Sequence, residues 1–179
     1  NLFPHKLPLQ AETEIIVLGR VSSTEAKRLS GMPAISYFID DPVLQDIYMA
    51  PPVRYADGNF YIKMGANTTT DYHPNSLTEI QDWFRNGESD VCLVDLERVM
   101  RAILPKVKFL SFQTKRCIIT RTRKKHPIIE QITNCTYVAS GANGSGAKSA
   151  DTFGQLAAGI TIDGRWPSGI PRDLFRGER

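Results

Sequence analysis

Apolar and polar positions along the chain follow two periods, that of a β-strand and that of an α-helix. Short apolar runs bounded by glycine, proline or aspartate predict strands over 14–20, 34–39, 47–50, 107–112, 116–122, 128–129 and 135–139. Pro51 and Pro52 are expected to end the third of these runs. Gly58 can adopt positive φ in the turn 56–59, which predicts a β-hairpin over 53–64.

Three segments have helical character. Ser76 and Glu79 form the pattern of a capping box at the start of a helix over 76–84, and Gly87 follows its end. Apolar residues recur at intervals of three and four over 92–103, which predicts an amphipathic helix closed by Pro105. A short helical turn is expected over 24–28.

The C-terminal part has a different organisation. A strand at 135–139 leads into a glycine-rich loop at 141–148 and then into a helix over 151–158. This is the one strand–loop–helix unit that the sequence suggests, and several strands with two inserted helices precede it. The predicted fold class is therefore α+β, built on a mainly antiparallel sheet. Two domains are expected, an α+β domain over 1–130 and a C-terminal segment over 131–179.

Composition narrows the class of protein. With 179 residues, 41% hydrophobic residues and a net charge of +3, the chain can bury a core and has no charge excess suited to nucleic acid. Its three cysteines are far apart, which argues against a disulfide framework or a zinc site. The sequence has neither a 20-residue apolar run nor a signal-peptide pattern, so we expect a cytoplasmic protein without a membrane span. The start without Met suggests a piece of a longer protein.

The glycine loop allows three interpretations. Gly141 and Gly146 have the spacing of a phosphate-binding P-loop, but Ala147 precedes Lys148 and turns that lysine about 100° around the helix. A dinucleotide fingerprint needs Gly-x-Gly-x-x-Gly and a later acidic residue, whereas Gly144 gives the reverse spacing. The third interpretation is a structural turn that lets strand and helix pack closely.

Four segments considered together resemble a known family. In the family's order and rough spacing, they are 54–65, 116–122, 126–130 and 138–148. They resemble the C-terminal part of the FAD-dependent amine and amino-acid oxidoreductases, which include monomeric sarcosine oxidase and D-amino-acid oxidase, over most of residues 12–162. The resemblance implies a curved, mainly antiparallel sheet that covers the flavin ring. It also implies that the domain over 1–130 binds the substrate. The C-terminal strand, glycine loop and helix within 131–179 would return to complete the FAD-binding domain.

The resemblance assigns roles to individual residues. The implied FAD-binding positions are those of the loop: Gly141, Asn143, Gly144, Ser145, Gly146 and Ala147. Backbone N–H groups and a lysine at a helix start would stabilise the negative charge of reduced flavin. Lys148 matches a lysine that faces the substrate carboxylate. Lys63 matches a lysine over flavin N5 that promotes reaction with oxygen, and alternation places it on one face with Tyr61 and Gly65. Cys117 matches a cysteine that attaches flavin covalently in some members, and we expect Lys115 and Arg116 to lower its thiol pKa.

The sequence also departs from the family pattern. Basic residues 123–125 follow where an acidic residue is usual, and Asn67 occupies the position of a histidine, which implies a substrate other than sarcosine. The N-terminal FAD-binding half is missing from the sequence and is an expected partner. The implied function is hydride transfer from a C–N bond of an amine or amino acid to flavin N5, with oxygen or another acceptor reoxidising the flavin. The alternatives are a non-catalytic α+β binding module and a phosphate-binding protein.

Overall fold

Strands and helices form an α+β fold in a computed structural model that describes residues 6–177. The strands are β1 (Leu9–Val21), β2 (Ile35–Phe38), β3 (Leu44–Arg54), β4 (Phe60–Thr68), β5 (Phe109–Thr122), β6 (Ile128–Thr133) and β7 (Thr136–Ser140). The helices are α1 (Ser23–Arg28), α2 (Leu77–Asn86), α3 (Leu93–Ile103) and α4 (Ala150–Ala158). A short 3₁₀ helix, Gly146–Ser149, precedes α4, and another, Arg172–Phe175, lies near the end. The predicted fold class is confirmed.

The described residues divide into two compact units. One is Thr13–Ile118, and the other contains the described residues up to Glu12 and those from Ile119 onward. The domain boundary at residue 130 stays a prediction.

A five-stranded sheet in the order β2-β3-β4-β1-β5 carries the core of the Thr13–Ile118 unit. β1 pairs antiparallel with β4, and β3 pairs antiparallel with both β2 and β4. Strand alternation sends Ile62, Met64 and Ala66 to one face, where they are buried with Leu96 and Met100 of α3. The opposite face of β4 therefore carries the residues between them.

The helix predictions are confirmed at their caps. The Ser76 side chain accepts the backbone N–H of Glu79, which starts α2. The Glu79 carboxylate accepts the N–H of Asn75, one residue before the cap, rather than that of Ser76 itself. The N–H of Gly87 bonds to the Trp83 carbonyl and closes α2, and α3 ends at Ile103, two residues before Pro105.

Two predicted boundaries are wrong. Pro51 and Pro52 do not end β3, because the strand continues to Arg54 across an irregularity between Ala50 and Val53 that removes the prolines from the regular ladder. The separate strands predicted over 107–112 and 116–122 are one strand, β5. Polar residues in the middle of β5 lie on a partly exposed surface. In the sequence they interrupt the apolar pattern, which therefore predicted two strands.

The second unit has its own small core. β6 and β7 form an antiparallel hairpin, so the strand before the glycine loop does not run parallel to its neighbour as in a βαβ unit. Ile129 of β6, Leu156 of α4 and Phe175 pack together with Trp166 beside them. This packing holds the helix that follows the loop.

Candidate functional site

Lys63 lies on β4, on the sheet face opposite the core of its unit. It pairs with Leu18 of β1 on one side and with Ala50 of β3 on the other. Its side chain is half-buried, and its Nζ atom lies 5.1 Å from the centre of the Tyr48 ring. The predicted alternation is confirmed, and the lysine has an aromatic neighbour that supports a cation–π contact.

Tyr48 and Glu14 complete the surroundings of this lysine. Tyr48 lies opposite Gly65 in the β3–β4 ladder, and the buried Glu14 carboxylate interacts with its hydroxyl. Glu14 is 4% exposed. Burial, followed by the charge of Glu14, raises the pKa of Tyr48, so its hydroxyl stays protonated and is available as a donor to that carboxylate.

Cys117 is half-buried on β5 and belongs to the same electrostatic environment. Burial raises the pKa of its thiol, the charge of Glu14 raises it further, and Lys63 lowers it. The predicted lowering by Lys115 and Arg116 is wrong. The Arg116 guanidinium donates instead to the Gly87 and Phe84 carbonyls, and the Cys117 carbonyl accepts the indole N–H of Trp83 at 2.9 Å.

The glycine loop follows β7 and opens into the 3₁₀ helix. Gly141 has φ of +79°, and a side chain there would collide with Thr122. Gly144, Ser145 and Ala147 are exposed. The first N–H groups of a helix have no carbonyl partner within it, so those at the helix start point toward solvent or a ligand. Lys148, in this first turn, is also exposed.

Asn143 anchors the loop to the end of β5. Its Oδ1 atom accepts the N–H of Thr122 at 2.8 Å, and its Nδ2 atom donates to the Gly141 carbonyl at 2.5 Å. Its own N–H donates to the Thr120 carbonyl, and its φ is +57°. Asn143 thus shapes the loop from within, and its amide is engaged by protein groups.

Arg121 strengthens the same anchor. Its guanidinium forms an ion pair with Glu12 and donates to the Asn143 carbonyl at 3.4 Å. The loop is therefore tied to β5 by side chains as well as by backbone.

Sequence reasoning missed Glu14, Tyr48 and Thr122. Glu14 and Tyr48 each sit in an ordinary strand, and only the register of β1, β3 and β4 brings them to Lys63. A charged residue inside the apolar run that forms β1 was the available signal, because a glutamate is rarely buried without a partner.

Residues 6–177 also bear on membrane and metal binding. No helix in that range is long and apolar enough to cross a bilayer. Within the same range, no three His, Cys, Asp or Glu residues are grouped to hold a metal ion.

Comparison with known proteins finds likeness in structure only. No protein-family profile matches the chain, and no curated protein matches its sequence. A thermally stable mutant of fructosyl peptide oxidase is similar, with a TM-score of 0.56 and 14% identity over 94% of this chain and 40% of its own. Amadoriase I, a fructosyl amine:oxygen oxidoreductase from Aspergillus fumigatus, is also similar, with a TM-score of 0.55 and 16% identity over 94% of this chain and 38% of its own. L-proline dehydrogenase from P. horikoshii is similar with a TM-score of 0.51 and 15% identity over 97% of this chain and 40% of its own.

This likeness shows the fold. The chain spans about 40% of the length of these solved structures. The assignment to sarcosine-oxidase-like or D-amino-acid-oxidase-like enzymes in particular stays a prediction.

Proposed function

We propose that this chain is the substrate-facing and C-terminal flavin-contacting part of an FAD-dependent oxidoreductase that acts on an amine or amino acid. The observation that carries the proposal is the glycine loop, which is anchored by Asn143 and carries the exposed residues Gly144, Ser145 and Ala147. The fold likeness to two oxidases and a dehydrogenase supports the same reaction class.

The loop residues fit the electron-rich pyrimidine edge of a flavin. A face built from small residues and helix-start N–H groups admits a flat ring closely and favours negative charge. Gly144, Gly146 and Ala147 would donate these N–H groups, while the N–H of Ser145 bonds to the Ala142 carbonyl and holds the turn next to the ring. Gly141 and Asn143 keep the loop in shape. When bound, FAD would supply the acceptor for a hydride from the carbon next to the substrate nitrogen.

Lys148 would orient the substrate. It is an exposed cation next to the glycine loop, and an ammonium is a point charge that attracts a carboxylate. An amino acid would then place its carboxylate at Lys148.

Lys63 would assist the reoxidation step. A positive charge on a half-buried sheet face stabilises negative charge that develops on oxygen, and the effect is larger there than in bulk water. Oxygen is the acceptor that this role implies.

Cys117 would attach the flavin covalently. Its raised thiol pKa means that only a small fraction is thiolate at neutral pH, so attachment would be slow. Colour that stays with the protein after acid precipitation would support attachment, and colour released entirely to the supernatant would contradict it.

The full protein containing this chain tests the function directly. We expect freshly purified protein to be yellow, with flavin absorption bands that bleach when a suitable amine or amino acid is added without oxygen. Protein that is colourless and gains no flavin on reconstitution with FAD would contradict the proposal and favour a non-catalytic binding module.

A further inference from the structure

Tyr48 connects a buried carboxylate to the Lys63 ammonium. The Lys63 Nζ atom lies over the Tyr48 ring, 5.1 Å from the ring centre, and the Glu14 carboxylate interacts with the Tyr48 hydroxyl. We propose that Glu14 and Tyr48 are positioning residues for Lys63: Glu14 holds the Tyr48 ring in place, and the ring holds the ammonium. What Lys63 then does rests on the proposed function, but its placement does not.

Gly65 leaves the space that the Tyr48 ring occupies. It lies directly opposite Tyr48 in the β3–β4 ladder, and a side chain at this position would collide with the Tyr48 ring and hydroxyl. The ring therefore lies flat over bare backbone, one alternate position along β4 from Lys63. Any other residue at position 65 would lift the ring from this place.

Glu14 fixes the other end of the ring. It is 4% exposed on β1, and a buried carboxylate is stable only with hydrogen-bond donors. We assign the Tyr48 hydroxyl, which interacts with Glu14, as one such donor, and a bond to a charged acceptor is about twice as strong as a neutral one. Because burial and Glu14 both raise the pKa of Tyr48, this donor is retained at neutral pH.

Tyr48 and Glu14 together restrict the Lys63 side chain, which is otherwise flexible. Lysine has a four-carbon stem and rotates freely in water, so a fixed charge needs a surface that favours one position. The aromatic face supplies this attraction without consuming the charge in a direct ion pair.

Methyl-lysine NMR tests the placement without any flavin chemistry. Reductive methylation with ¹³C-formaldehyde keeps the lysine charge, and Lys63→Arg identifies the Lys63 resonance by its disappearance. We expect this resonance to be displaced upfield by the Tyr48 ring and to return to the position of exposed lysines in Tyr48→Leu.

Variants of Glu14 separate the hydrogen bond from mere packing. Glu14→Met removes the acceptor and should at least halve the upfield displacement, whereas Glu14→Gln keeps an acceptor oxygen and should restore most of it. Tyr48→Phe keeps the ring but removes the donor, and should resemble Glu14→Met. Full upfield displacement in Glu14→Met and in Tyr48→Phe would overturn the proposal. If only one of these variants folds, full displacement in that variant is sufficient to overturn it.

Oxygen kinetics distinguish this inference from the proposed function. In the flavin-loaded full protein, Glu14→Met should slow reoxidation on the order of tenfold, less than removal of Lys63 itself does. If Glu14→Met loses the NMR displacement but reoxidises at an unchanged rate, Glu14 and Tyr48 do position Lys63, and the proposed oxygen role of Lys63 is wrong.

Discussion

The Lys63 side chain carries its positive charge over an aromatic ring on a half-buried face. We expect Lys63→Met to slow reoxidation of the reduced full protein by oxygen on the order of 10²-fold, because one preorganised charge is removed. Reduction by substrate should change much less. Stopped-flow absorbance measures both steps, and Lys27→Met, at an exposed position of α1, is the matched control. Equal slowing of both steps would sink the oxygen role.

The Cys117 thiol reports the charge of Glu14. Burial and Glu14 raise its pKa and Lys63 lowers it, so alkylation by iodoacetamide should show a midpoint above the usual value near 8.5. Glu14→Gln should shift that midpoint to lower pH, and Lys63→Met should shift it to higher pH. A Cys135→Ser background removes the exposed thiol. A midpoint that does not respond to Glu14→Gln would contradict the assigned environment.

Some residues of the candidate site could be predicted from the sequence, and others could not. Lys63, Cys117 and the loop glycines were found because local motifs contain them. Glu14 and Tyr48 were missed because their proximity depends on strands 34 residues apart in sequence, and no local pattern encodes that pairing. The thiol pKa of Cys117 was predicted in the wrong direction, since neighbours in sequence proved less important than burial.

The β3–β4 hairpin turn is an element stabilised by one carboxylate. Asp57 accepts the side-chain amide and the backbone N–H of Asn59 and the hydroxyl of Tyr61. These bonds, with that of the Asn59 side chain first, lower the pKa of Asp57 to about 2. Because the folded pKa lies below the unfolded value of about 3.9, the stabilisation is present above about pH 4 and is lost as the pH falls toward 2.

Tyr61→Phe tests this turn. Loss of the hydroxyl donor should raise the pKa of Asp57 toward its ordinary value, which carboxyl ¹³C titration by NMR measures. Tyr55→Phe, in the same hairpin, is the control and should leave the titration unchanged. If Asp57 already titrates near 3.9 in the unmodified protein, the hydrogen-bonded turn is not formed in solution.

The glycine loop is an element held by Asn143. Asn143→Ala should cost about 2 kcal/mol in free energy of unfolding, since it removes the bonds to Thr122 and Gly141 and forces alanine to positive φ. Asn143→Gly loses the same bonds but tolerates that φ, and should cost about 1 kcal/mol less. Urea unfolding followed by circular dichroism measures both. Unchanged stability of Asn143→Ala would show that the asparagine is not an anchor.

Element boundaries followed local chemistry where one residue decides them. Ser76, Gly87 and Pro105 bounded their helices as predicted because capping and proline act within one turn. Pro51 and Pro52 did not end β3, because Val53 and Arg54 beyond them pair again with β4. Polar residues within β5 hid its continuity for the same reason, that sheet pairing is set by distant partners.

At the scale of the whole molecule, the α+β class was predictable because strand and helix periods are visible in the sequence. The likeness to solved oxidases extends over 94% of this chain and about 40% of theirs. Low identity means that the fold, rather than the chemistry, is what this likeness shows. The catalytic proposal therefore depends on the residues of the loop and of the Lys63 face.

Flavin content is the measurement that tests the central claim most directly. We expect the full protein to bind FAD, and Ser145→Glu to lose most of it because a carboxylate in the loop repels the flavin's negative edge. Ser168→Glu, the same change in an exposed turn outside the loop, should retain the flavin. The ratio of flavin to protein absorbance gives the result. Equal flavin content in all three proteins would contradict the loop as a flavin site.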